Sequence, residues 1–154
     1  MHFLQCWAKP FTARLQPNYY NRHFTDEEKL NKIVRVVAPI GDEGVVDERE
    51  GKGPIPIHAH VRVAASILTP SSTVSHQIRD DTTKTLVHNT MRSGYRGPRE
   101  KSSTGGSKLT VTSGTGKIEL DEGDSLYITG TVAEPVKVES VGGRDAEFLI
   151  FEML

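Results

Sequence analysis

Lys117-Ile118-Glu119-Leu120-Asp121-Glu122-Gly123-Asp124-Ser125-Leu126-Tyr127-Ile128 sets two short extended runs around a Glu-Gly-Asp turn. Such a stretch spells two short strands joined by a turn, because the turn residues tolerate a sharp change of direction while the flanking runs present apolar side chains at every second position. Runs of the same kind recur on both sides of it: Ile33 to Ala38, Ile55 to Leu68, Thr73 to Ile78, Thr85 to His88, Leu109 to Thr112, Val136 to Val141 and Glu147 to Met153. Turn signals separate them at Gly41-Asp42, Pro70-Ser71-Ser72, Gly114-Thr115-Gly116 and Gly142-Gly143. Short strands at this regular spacing predict an all-β sandwich or barrel. In the last run Phe148, Ile150 and Met153 interleave with Leu149, Phe151 and Glu152, which predicts a strand buried on both faces.

Helical signal is confined to one place. Thr25-Asp26-Glu27-Glu28 spells a capping box with acids in the positive first turn, so a short helix is expected from about Asp26 to Ile33. Leu30, Ile33 and Val34 would form its buried side, and Glu28 with Lys32 an i,i+4 pair. Residues 1–24 read as an extended arm with one apolar run, Phe3 to Trp7, and residues 25–154 as the barrel domain. The charged stretch Asp42 to Gly53 reads as an exposed loop. The polar insertion at 93–108 buries no apolar area and fits either a disordered loop or a lid.

The chain has 154 residues with 36% hydrophobic and 25% charged, the size and balance of one domain. Nineteen Lys and Arg against twenty Asp and Glu leave a net charge of −1, so nucleic acid is not an expected partner. No run reaches the roughly 18 apolar residues of a membrane span, and the first residues lack the pattern of a leader, so neither membrane insertion nor export is expected. The single Cys6 cannot form an internal disulfide; with the missing leader it points to the cytoplasm, and its apolar neighbours predict a buried thiol.

Chemistry is sought among the polar residues of the strand runs. His58 and His60 are spaced i,i+2, which on a strand puts both on one face, and His76 or His88 offers a third imidazole. Neutral imidazoles bind transition metals, so an off-pattern metal site at His58 and His60 stays open beside the plainer reading of hydrogen-bonded strand histidines. Without a metal, His58, His60 and His76 are the candidate catalytic acid/base residues, with Arg62, His88 and Tyr127 as candidate substrate-binding residues. For Arg62 a salt bridge to one of the loop acids is the alternative. No nucleophile elbow, phosphate loop or dinucleotide fingerprint is present, so no cofactor is expected.

Phe3-Leu4-Gln5-Cys6-Trp7-Ala8-Lys9-Pro10, Leu15-Gln16-Pro17-Asn18-Tyr19, Val37-Ala38-Pro39, Ile57 to Ala65, Ser75-His76 and Glu147 to Glu152 follow one another in an order that resembles the second half of the pirin and quercetin 2,3-dioxygenase-like bicupins. The resemblance covers nearly the whole chain but only one half of that family's architecture. It implies a single cupin-like β-barrel with an N-terminal arm and one short helix. It also implies that the family's metal ligands, which belong to the other half, are missing. Of the cupin ligand positions only His76 is matched: Ile78 stands where a second His is expected, Arg79 to Thr83 supplies no Glu, and Glu134 to Val138 no final His. A metal-free cupin acting on a small aromatic or polyketide-like ligand is the function so implied, by isomerase, cyclase or oxygenase-type chemistry. A binding or regulatory module, or a structural half that pairs with another cupin, are its alternatives. Because the apolar arm would be exposed in a lone half, a homodimer joined through the arm is expected.

Overall fold

The structure, a computed structural model, describes residues 3–79, 82, 84–91, 106–129 and 134–154. Most of the insertion expected at 93–108 lies outside them. Ten strands follow one helical turn, α1 (Asp26–Lys29): β1 (Val34–Pro39), β2 (Ile55–Ile57), β3 (Val61–Leu68), β4 (Thr73–His76), β5 (Lys84–Asn89), β6 (Lys108–Ser113), β7 (Gly116–Asp121), β8 (Ser125–Thr129), β9 (Val136–Ser140) and β10 (Ala146–Met153). They form a six-stranded sheet in the order β2-β1-β3-β10-β5-β8 and a four-stranded sheet in the order β4-β9-β6-β7. Every pairing is antiparallel except β1 with β2. The two sheets close as a jelly-roll-like sandwich over a core in which Phe148, Leu68, Leu109, Ile150, Val87 and Val138 are fully buried. No helix among the described residues is long and apolar enough to cross a membrane.

Every strand expected from the runs is present, and four local readings are corrected. The run Ile55 to Leu68 is two strands. β2 lies parallel on one side of β1 and β3 antiparallel on the other, so residues 58–60 must carry the chain over the end of β1. The helix stops at Lys29, not Ile33. Its capping box is made as read, with Glu28 N–H donating to the Thr25 hydroxyl at 3.2 Å and Thr25 N–H to the Glu28 carboxylate at 2.7 Å. Leu30 then turns extended and Asn31 takes a φ of 53°, which Asn tolerates better than most residues. The Asn31 carboxamide and backbone dock on Thr69 and Ile67 instead of prolonging the helix, leaving Leu30 exposed. In β10 burial alternates strictly, with Ala146, Phe148, Ile150 and Glu152 inside and Leu149, Phe151 and Met153 on the outer face. Cys6 is exposed, because the arm runs along the outside of the sheet without joining it as a strand.

The arm is fastened further along. Arg22 donates to the carbonyls of Val46, Glu48 and Arg49, and the Tyr20 hydroxyl donates to Asp47 at 2.5 Å. The charged loop after β1 is thereby held by the arm. Gly53 closes that loop with a φ of +79°, where a Cβ would come 2.6 Å from the Gly44 carbonyl oxygen, so only glycine fits.

Candidate functional site

Lateral register fixes what each end of the barrel offers. On the inner face of the large sheet, Leu68 lies opposite Ala146, Ser66 opposite Phe148, Ala64 opposite Ile150, and Arg62 opposite Glu152. Ser66 apart, these rows are apolar until the last, where a guanidinium and a carboxylate stand side by side. β1 adds a further cation through a bulge. Arg35 pairs with Ala64 and Val37 with Val63, so one extra residue separates them and they point to opposite faces. Arg35 thus turns inward.

From the facing sheet β4 supplies His76, whose ring Nε2–H donates to Glu152 Oε1 at 2.6 Å. Glu152 is 3% exposed and also accepts from the Thr82 hydroxyl at 3.4 Å. These groups line a cavity of about 360 Å³ at the barrel mouth, floored by Ala64 and Ile150 and rimmed by Arg35, Arg62, His76 and Arg79. A volume of that size suits a small organic molecule.

Asp42, from the loop after β1, pairs with two of the rim cations. Arg62 Nε donates to its Oδ2 at 2.7 Å, and Arg35 Nη1 lies 4.0 Å from the same oxygen. The salt bridge to a loop acid expected as the alternative for Arg62 is formed, and it ties a cavity-lining guanidinium to the loop after β1. The hydrogen bond from Arg62 holds the Asp42 carboxyl below its ordinary 3.8, and the charges of Arg62, Arg79 and Arg35 act the same way against the opposing effect of burial. A carboxyl depressed in the folded state adds stability above its unfolded value and loses it as pH falls through the folded one. His88 acts higher on the scale. Burial lowers its imidazole below 6.5, against a hydrogen bond to the Asp124 backbone, so the folded state resists its protonation and loses stability as pH falls below about 6.5. Urea titrations are expected to show stability falling in two stages, first below about pH 6.5 and again below about pH 4. Asp42→Asn should flatten the second stage alone; an unchanged second stage would show that the Arg62 contact adds nothing.

Of the six candidate residues, the structure brings only His76 and Arg62 together. His58 and His60 sit on the crossover between β2 and β3 and tilt against the Phe11 ring, with centroids 5.9 and 5.1 Å away. His88 and Tyr127 lie on the outer face of the large sheet. The His88 ring pairs with the Ser125 hydroxyl at 2.8 Å, and Tyr127 is 63% exposed. Arg35, Arg79 and Glu152 are charged cavity residues that the sequence reading missed, as is Asp42, which pairs with Arg62. For Glu152 a signal existed: it follows Ala146, Phe148 and Ile150 at intervals of two, placing a carboxylate on an otherwise apolar face.

A metal does not fit these donors. Among the described residues no three His, Cys, Asp or Glu side chains converge, and the off-pattern pair His58 and His60 lies apart from His76 on a different part of the surface.

No family model and no curated protein sequence matches the chain. Solved structures do. YhhW from Escherichia coli superposes with a TM-score of 0.61 at 16% identity over 94% of this chain, and this chain spans only 47% of YhhW's length. A Cupin 2 conserved barrel domain protein from Salinispora arenicola gives a TM-score of 0.50 at 10% identity, covering 89% of this chain and 91% of its own. With the strand order and the two closed sheets, these likenesses establish that the chain has the cupin fold.

Proposed function

We propose that this cupin binds a small organic molecule bearing an acidic proton, such as a phenol or an enolisable ketone, and moves that proton through His76. The observation that supports it is the His76–Glu152 pair, closed at 2.6 Å in the wall of a cavity whose rim is cationic and whose floor is apolar. His76 takes the proton at its ring, Glu152 holds the ring in one orientation and steadies the imidazolium, and Arg62 or Arg35 faces the phenolate or enolate formed. Returned to a neighbouring atom, the same proton completes an isomerisation or cyclisation that needs neither oxidant nor metal. A module that binds the same ligand without turnover is the second reading, and the Arg62–Asp42 pair favours it because it already compensates one cation of the rim.

Ligand screening by NMR on the full chain tests the proposal. Phenolic and enolisable compounds are expected to shift the His76 ring resonances, and Glu152→Gln should weaken that response several-fold. Shifts confined to the outer-face residues His88 and Tyr127, with His76 unmoved, would overturn it.

A further inference from the structure

The arginines at the cavity mouth are not equivalent. Arg62 forks onto Asp42, Nε to Oδ2 at 2.7 Å and Nη2 to Oδ1 at 3.4 Å, and it is Arg62 that chiefly depresses the Asp42 carboxyl. Arg35 has no comparable partner among the described residues. Its Nη1 stays 4.0 Å from the Asp42 oxygen that Arg62 already holds, and its Nη2 donates to the Glu43 carbonyl. A backbone carbonyl satisfies a donor but does not neutralise a charge. Anchoring the loop after β1 therefore explains an N–H group at this position and not a guanidinium.

Register puts that charge where a ligand meets it. Arg35 lies opposite Ala64, and Ala64 opposite Ile150, so the guanidinium rises from the end of the apolar row that floors the cavity. Arg62 lies in the next row, directly opposite the Glu152 that holds His76. Glu152 on β10 and Arg35 on β1 are thus two strands apart, about 10 Å at the ordinary strand spacing. The Arg35 side chain is 34% exposed, open to the cavity yet set in a wall shared with Ile33, Ala64 and Ile150. Apolar neighbours of that kind reduce the screening of a charge by water.

We propose that Arg35 holds a carboxylate of the ligand, so that the molecule bound here is a phenolic or enolisable acid with its carboxylate at one end and its acidic proton at the other. This rests on the reading of the cavity as a proton-transfer site. Arg35 offers a planar fork to the carboxylate, while Arg62, in the row of Glu152, faces the phenolate or enolate formed at His76. The two-strand separation places the two ligand groups at opposite ends of a ring and not on adjacent carbons. A carboxylate fits better than a phosphate dianion. Glu152 in the wall and Asp42 beside it already bring two carboxyl groups to the site, and a second ligand charge would meet their repulsion.

Matched probes test the proposal on the full chain by NMR titration: 4-hydroxybenzoate and 4-hydroxyphenylacetate against their methyl esters, which keep the ring and the phenol and remove the charge. The acids are expected to bind about 10–100-fold more tightly than the esters, the range of one charge-assisted pair. Raised salt should narrow that margin, and Arg35→Gln should abolish it by weakening the acids alone. Arg35→Lys, which keeps the charge and loses the fork, should retain part of it. Acids and esters that bind the wild type alike while shifting the His76 ring overturn the inference and leave the proton-transfer reading standing. Probes of both kinds that leave His76 unmoved overturn the two together. A margin that survives in Arg35→Gln also overturns the inference, by assigning the carboxylate to another cation of the rim. If Arg35→Gln does not fold, Arg35→Met, which keeps the aliphatic stem, carries the same comparison with the same loss expected.

Discussion

Phe148→Ala is expected to lower the free energy of unfolding by about 3–5 kcal/mol. Phe148 is 0% exposed on β10, the strand that makes the long pairings with both β3 and β5, and its ring fills the space between the two sheets beside Leu68 and Ile150. Truncation removes the transfer free energy of the ring and opens a cavity that two hydrogen-bonded sheets cannot collapse to fill. A domain of this size is typically stable by only about 5–15 kcal/mol, so the loss is a large share of the whole. Urea denaturation checks it, with an unchanged slope showing that the variant still unfolds as one unit. Phe151→Ala, one step outward to the half-buried outer face, should cost distinctly less in the monomer. A Phe148→Ala loss under about 1 kcal/mol would mean that this ring is not a centre of the core.

The second large effect concerns turnover. With a phenolic or enolisable substrate, His76→Ala is expected to reduce kcat by about 10²–10⁴-fold, the range lost with a general acid/base. Glu152→Gln keeps the shape of the partner but not its charge, so it should lower kcat less than His76→Ala, leave KM nearly unchanged and alter the pH dependence of the rate. Arg62→Lys, which exchanges a fork for a point charge beside Asp42, should act chiefly on KM. Turnover within twofold of wild type in His76→Ala would remove His76 from the chemistry and leave the binding reading in its place.

The fold was legible in the sequence because strands and turns are local. The two strands on either side of the Gly123 turn and the capping box at Thr25 to Glu28 appear where the residues put them, although those two strands belong to different sheets. The cupin likeness was legible too, in the order of short motifs along the chain. What could not be read was which strands flank which. His58 and His60 look like neighbours on one strand face. They stop being so once β2 and β3 are found on opposite sides of β1, a long-range fact that an i,i+2 spacing does not contain. The cavity has the same origin. His76 meets Glu152 across 76 residues of sequence, and Arg62 meets Asp42 only because the loop after β1 folds back against β3. Glu152 was within reach of a stricter alternation, and Arg35 was hidden behind the bulge.

That bulge in β1 makes length and composition unequal currencies for change in this strand. A substitution between Ile33 and Val37 alters one side chain in place. Removing the extra residue, Val36, would instead leave strict alternation in place of the bulge, with Arg35 still opposite Ala64 on the inner face and Val37 still opposite Val63 on the outer one. The bulge is therefore a place where the chain can lose a residue without moving the cation from the mouth, whereas replacing Arg35 removes it outright.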